Sequence, residues 1–236
     1  MKKPFLQAEW RKLAMVNYAV DRKVLGKYLP YKTELDIWRD TCYVSLVGFM
    51  FLNTKIKGFK IPFHTNFEEV NLRFYVRYKD NSEWKRGVVF IKEIVPKPAL
   101  SFVANVVYSE NYETMPMSHE WAINNGQQSI EYKWKKGNWN SFKVIAGTTE
   151  LKIEAGSEEE FITEHYWGYT QIDNLKTSEY GVEHAKWNVY KIESYDINVE
   201  FGKVYGQDFE FLNHEKPVSV FLAEGSEIIV KEGTKI

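Results

Sequence analysis

The dominant period along the chain is two. Between Phe67 and Tyr78, Val70, Leu72, Phe74 and Val76 share one face, and Glu69, Asn71, Arg73 and Arg77 share the other. That is the alternation of a strand buried on one side. Cys42 to Leu52 is apolar on both faces, as in a strand covered on both sides. Gly87–Val95, Thr114–Ile123, Gln128–Trp134, Ser141–Ile153, Ala185–Asn198 and Val218–Val230 also read as strands, broken by Asn124-Asn125-Gly126, Lys136-Gly137-Asn138 and Gly225-Ser226, which carry turn chemistry. Three segments read as helices. Asp21–Tyr28 is stopped by Pro30, whose ring and missing N–H end a helix. Pro98–Tyr108 opens on proline, with Leu100, Val103, Ala104 and Val107 on one stripe. Ser157–Trp167 pairs Ser157 with Glu160 in a capping box, has acidic residues in its first turn, and is followed by Gly168. No linker, repeat or low-complexity segment divides the chain. The pattern predicts one domain over residues 1–236. Its class is mainly β (α+β): a large, mostly antiparallel sheet, bent or closed, under a few covering helices.

Composition narrows the function classes. Lys plus Arg number 31 against 32 Asp plus Glu, a net charge of -1. No general attraction to nucleic acid or to anionic membrane follows from that balance. Aromatic residues make up 16% of the chain, but no cationic cluster accompanies them as a single-strand-binding groove requires, so they are assigned to the core. The first ten residues have no apolar run behind their lysines, and a cytoplasmic location is expected. The lone cysteine, Cys42, lies in the most apolar strand, where a thiol is inert.

Phosphate-cradling glycine motifs and the nucleophile elbow are absent. His64, His119, His165, His184 and His214 include no pair at helical ligand spacing, so no metal is assigned. His165 lies at the C-terminal end of the third helix, where a charged imidazole complements the helix dipole and a structural role is the default. The polar face with Glu69, Asn71, Arg73 and Arg77 has two readings. It is either a solvated face, which the pattern alone favours, or the lining of a cavity in a curved sheet, where an arginine clamps a carboxylate.

Several segments resemble a known family. The most specific is Phe67-Glu68-Glu69-Val70-Asn71-Leu72-Arg73-Phe74-Tyr75-Val76-Arg77. Asp21 to Leu25 with Tyr28-Leu29-Pro30, Cys42 to Phe49, Arg86 to Phe90, Phe161 to Tyr169, Val182-Glu183-His184 with Trp187, and Pro217 to Phe221 continue it. In order and spacing they resemble the YqjF-like family of bacterial proteins, within the acetoacetate decarboxylase-like superfamily. The resemblance implies a sheet curled into a cone-like barrel around a pocket. The decarboxylase reaction uses a lysine amine whose pKa is lowered by a second lysine. Here Tyr112 and Glu113 occupy the matching positions, and no lysine occurs between Lys97 and Lys133.

The expectation is a small-molecule-binding protein without Schiff-base chemistry, holding an anionic or oxygenated ligand and no cofactor. Glu69, Arg73, Tyr112 and Glu113 are the candidate pocket residues, and Arg77, His165 and His184 are secondary. The alternatives are a lysine-independent isomerase, hydrolase or lyase with Glu69 or Glu113 as general base, and a non-catalytic scaffold for protein interaction. Neither a nucleic acid nor a membrane partner is expected, and a homo-oligomer is left open.

Overall fold

A computed structural model describes residues 3–236; the side chains of Val107 and Tyr108 lie outside the described residues. The elements run β1 (Pro4–Ala19), α1 (Arg22–Gly26), β2 (Thr33–Leu35), β3 (Tyr43–Ile56), β4 (Phe67–Asp80), β5 (Glu83–Val95), α2 (Pro98–Tyr108), β6 (Tyr112–Thr114), β7 (Met117–Asn124), β8 (Gln127–Lys136), β9 (Asn138–Lys152), α3 (Glu158–Thr163), β10 (Trp167–Asp173), β11 (Lys176–His184), β12 (Asn188–Asn198), α4 (Phe201–Tyr205), β13 (Ser219–Lys231) and β14 (Thr234–Lys235). The sheet is ordered β14-β11-β10-β5-β4-β3-β1-β13-β12-β9-β8-β7. A further pairing joins Val182, Glu183 and His184 of β11 to Val230, Ile229 and Ile228 of β13. That pairing closes β11, β10, β5, β4, β3, β1 and β13 into a barrel. The remaining strands, β12, β9, β8 and β7, run on from β13 as a wing. Most neighbours are antiparallel; β10 with β5 and β5 with β6 are parallel.

Closure gives every barrel strand an inner and an outer face, and both are buried. On the outer side, Val70, Leu72, Phe74 and Val76 share a core with Ile130, Tyr132, Trp134, Phe142 and Val144 of the wing. Fully burying each such side chain contributes about 1.5–3 kcal/mol. Gly48 permits this approach, because a Cβ there would meet the Phe142 and Tyr132 rings at 2.6 and 2.8 Å. On the inner side, Leu13, Met15, Val47, Phe49, Phe51, Phe67, Tyr75, Val88 and Trp187 form a second core. The apolar face of β4 therefore packs outside the barrel and its polar face looks inside.

Three departures from the sequence pattern have local causes. β1 was not apparent as a strand because a bulge lies between Arg11 and Ala14, with Lys12 at φ 53°, and breaks its alternation. The third helix stops at Thr163, though Ser157 Oγ does accept from Glu160 N at 3.2 Å. Residues 167–184 that follow it become two strands of the barrel. Phe201–Tyr205 and the 3₁₀ turn Gln207–Asn213 also form unpredicted helical pieces, which bury Phe201, Val204, Phe209 and Leu212. Cys42 is buried with its thiol pushed up to about 11 by burial. Among the described residues no helix is long and apolar enough to cross a membrane.

Candidate ligand-binding site

The barrel encloses a cavity of ≈ 460 Å³. Trp10, Phe49, Phe51, Phe67, Phe90, Leu100 and Trp187 supply an apolar wall, and Glu69, Asn71, Arg73, Glu93, Glu110, Tyr112 and Tyr180 supply a polar cluster. The exposed lining residues, Ile61, Ala99 and Val103, place the opening between the β3–β4 connection and α2. An apolar chamber with a few converging polar groups is the usual form of a small-molecule site.

β4 brings Glu69, Asn71 and Arg73 to the inner face at successive odd positions. Glu69 is 2% exposed and Arg73 is 7% exposed. These two residues and Asn71 thus face the cavity, and the solvated reading of this strand is overturned. The Glu69 carboxylate accepts from Asn71 Nδ2 at 2.9 Å and from Tyr112 Oη at 3.2 Å. Burial pushes it up to about 7, against the opposing pull of those two bonds and of the Arg73 charge. Arg73 stands differently. Its guanidinium lies 5.8 Å from the Tyr75 ring centroid. Among the described residues it makes no ion pair or hydrogen bond, and its Nε is buried without a partner. A buried arginine without a carboxylate is costly to hold; it is the group in the cavity equipped to receive an anion in bidentate fashion.

Two of the carboxyls and one tyrosine of the cluster were not found from sequence. Glu93 reaches the cavity because of a bulge in β5. Arg73 pairs with Phe90 and Leu72 with Lys92, so Ile91 is extra, and the strand's parity flips there. Val88 and Phe90 point inward before the bulge, Glu93 and Val95 after it. Asn111 Nδ2 bonds the Ile91 carbonyl, and Glu93 N donates to Asn111 O at 3.0 Å. The adjacent polar residues Lys92-Glu93 inside an apolar strand are the one trace of this in the sequence. Glu110 comes from the loop after α2, and Tyr180 from β11. Gly168 makes room for Tyr180, since a Cβ at Gly168 would meet its ring at 2.2 Å.

Glu93, 3% exposed, is raised well above the ordinary carboxyl range by burial and by the charges of Glu110 and Glu69. Burial likewise brings Glu110 to about 7, opposed by bonds from Thr170, Tyr180 and Glu93. The phenols of Tyr112 and Tyr180 are raised by burial and by these carboxyls. Burial thus favours the protonated forms of Glu69, Glu93 and Glu110 throughout the cluster.

Not every predicted residue is here. Glu113 lies outside the cavity: along β6 the pleat turns Tyr112 inward and Glu113 outward. Its carboxylate is held by Lys92 Nζ at 2.7 Å and by Lys136 Nζ. Burial would raise its pKa, but the two lysines lower it. It cannot act as the pocket base. Arg77 shares the parity of Arg73 but stands beyond the barrel's inner layer, paired with Glu34 of β2 at 2.6 Å and stacked on Trp84 at 4.4 Å.

His165 and His184 both line the cavity. His165 Nε2 faces Asp36 Oδ2 at 3.1 Å, and Arg86 Nε donates to the same oxygen at 2.6 Å. The carboxylate acceptor assigns the proton to Nε2. Burial pulls His165 down to about 4 despite Asp36, so it is neutral at pH 7 and the dipole-stabilised imidazolium expected from its position does not form. His184 is stacked between Tyr166 at 4.6 Å and Trp187 at 4.3 Å. Among the described residues no group of three His, Cys, Asp or Glu side chains is placed to hold a metal ion.

The profile of DUF2071, described as an uncharacterized conserved protein, matches residues 7–227. The uncharacterized protein YqjF of Bacillus subtilis is 25% identical over 194 residues, covering 80% of this chain and 76% of its own. Among solved structures, the acetoacetate decarboxylase of Legionella pneumophila superposes with a TM-score of 0.66 at 12% identity, covering 100% of this chain and 88% of that one. An acetoacetate decarboxylase-like enzyme of Sphingomonas wittichii gives 0.66 at 10% identity over 99% and 94%. The enduracididine biosynthesis enzyme MppR gives 0.68 at 12% over 100% and 88%. At these identities the likeness is one of fold.

Proposed function

The chain belongs to the DUF2071 family, and on that premise we propose that its barrel binds a small organic acid with an apolar body, without Schiff-base chemistry. The observation that carries this reading is Arg73, a buried cation that makes no ion pair or hydrogen bond among the described residues, placed in a cavity walled by aromatic rings. Arg73 holds the carboxylate. Tyr112, Glu69 and Glu93, whose protonated form burial favours, meet further oxygen atoms, and the aromatic wall takes the apolar part. MppR, of similar fold, is known in complex with pyruvate, itself a small carboxylate. One lysine lines the cavity among the described residues: Lys231, ion-paired with Glu183 at 2.9 Å. It has no second lysine beside it in the lining to lower its pKa as an amine nucleophile requires.

The test is a melting assay with hydroxy, oxo and aromatic carboxylic acids. A ligand at a hundred times its Kd adds about 2.7 kcal/mol, or roughly 5–11 °C for a chain of this size. The shift should vanish in Arg73→Met, which keeps the bulk and removes the charge. A shift that survives in Arg73→Met, or its absence with every acid, refutes the reading. Borohydride treatment in the presence of a β-keto acid should leave the protein mass unchanged; a trapped adduct would restore the Schiff base.

A second reading is favoured by one observation. Glu69 sits at about 7 with the Tyr112 hydroxyl on one of its oxygens, which suits a general acid–base group at neutral pH. In this reading Arg73 fixes the substrate's carboxylate and Glu69 moves a proton at a neighbouring carbon or oxygen. Turnover of a bound acid that is lost in Glu69→Gln, with binding retained, distinguishes it from simple binding.

A further inference from the structure

The two segments that frame the cavity mouth share an unusual composition. Residues 53–66, between β3 and β4, read Asn-Thr-Lys-Ile-Lys-Gly-Phe-Lys-Ile-Pro-Phe-His-Thr-Asn, and residues 96–109, which contain α2, add Lys97. Together they carry four lysines, Lys55, Lys57, Lys60 and Lys97, and no acidic residue. They also expose large apolar side chains. Phe59 is 73% exposed, Phe63 88%, Phe102 68% and Val106 65%, and Ile61 and Val103 are exposed beside them. Phe102 and Val106 are four residues apart and so share one outward face of α2, while Leu100 and Ala104 of the same helix line the cavity. Scattered single apolar residues on a surface need no explanation, but several on the two segments that frame one opening do.

We propose that this rim docks on an anionic lipid surface, with Phe59, Phe63, Phe102 and Val106 entering the interface and Lys55, Lys57, Lys60 and Lys97 meeting the headgroups. Apolar insertion flanked by lysines is the form that interfacial binding takes. The neighbouring charges are few. Lys57 has Glu232 at 3.5 Å, with both side chains largely in water, where such a pair contributes little. Lys231 at the rim is balanced by Glu183. A second copy of the chain is a poor occupant, because a two-fold contact through this face would set four lysines against four lysines, and the two segments that carry them supply no acid to pair with. The net charge of -1 conceals the imbalance, since the acids that offset these lysines lie elsewhere in the sequence. The proposal does not depend on what the cavity holds.

The experiment is co-sedimentation with phosphatidylcholine vesicles prepared with and without phosphatidylglycerol. Binding is expected to the phosphatidylglycerol vesicles alone and to weaken with added salt, which screens exposed charge. A near-surface lysine contributes about fivefold. The triple variant Lys55→Gln, Lys57→Gln, Lys60→Gln should therefore weaken binding roughly a hundredfold. Phe59→Ser with Phe63→Ser should lower it to the phosphatidylcholine level. All five positions are exposed, so melting temperatures should stay unchanged, which separates lost docking from lost folding. The proposal is overturned by binding that ignores phosphatidylglycerol, by its absence from both vesicles, or by binding intact in either variant. A dimer in sedimentation velocity that Phe59→Ser with Phe63→Ser disperses would also overturn it, in favour of a copy-to-copy interface.

Discussion

Replacing Glu69 with glutamine should make the protein more stable, and increasingly so as pH rises. Glu69 is 2% exposed, and its pKa rises from 4.5 to about 7 because burial penalises the charged form more than Asn71, Tyr112 and Arg73 favour it. A carboxyl whose folded pKa is raised supports folding while it keeps its proton. That support is complete below pH 4.5 and is lost as pH rises through about 7. A rise of about 2.5 at about 1.36 kcal/mol each amounts to about 3 kcal/mol. The penalty is about 1 kcal/mol near pH 5 and about 3 kcal/mol near pH 8. Glutamine keeps the shape, carries no charge at either pH, and escapes the penalty. Its amide leaves a constant cost in the hydrogen bonds with Asn71 and Tyr112, so the pH dependence of the difference is the quantity to read. Urea unfolding of wild type and Glu69→Gln across this range should show the difference growing by about 2 kcal/mol in favour of the variant. A flat difference would mean that Glu69 titrates as an ordinary glutamate. One that turns against the variant as pH rises would mean that Arg73 holds it as a stable carboxylate. Either result refutes the burial argument.

Three further outcomes are expected. Glu113→Gln should leave carboxylate-induced melting shifts intact while costing at most about 1 kcal/mol of stability, since its pairs with Lys92 and Lys136 lie outside the cavity and partly in water; loss of ligand response would return it to the site. Asp36→Ala should cost about 2 kcal/mol in denaturant unfolding, less than a fully buried pair, because Arg86 keeps 34% of its side chain exposed while His165 loses its acceptor; an unchanged midpoint would show the triad to be energetically idle. Gly225→Ala should cost more than about 3 kcal/mol, because φ is +84° and the new Cβ would meet Trp10 O at 2.0 Å; a variant that melts like wild type would contradict that backbone geometry.

The strands β4, β5, β8, β9, β12 and β13 were legible from their alternation of apolar and polar side chains, and β3 from its run apolar on both faces, because each pattern is a local property of its strand. So were the proline start of α2 and the serine cap of α3, both set by residues within one turn. The pairing of Tyr112 with Glu69 and the inward aim of Arg73 were not. A strand pattern shows that two faces differ, yet which face looks inside depends on β11 reaching β13 and on the wing covering the outside, contacts between residues far apart in the chain. Glu113 and Arg77 were misplaced for related reasons: one pleat step separates Glu113 from the cavity, and Arg77 stands beyond its layer. Glu93 was hidden by a single extra residue, Ile91, whose carbonyl accepts from Asn111 in the loop before β6. Local chemistry thus determined the strands, their caps and the residues available for a site. The cavity, its unpaired arginine and its protonated carboxyls were decided only by tertiary closure, because burial, which shifts a carboxyl and strands a cation, is a property of the surrounding barrel and not of any one segment.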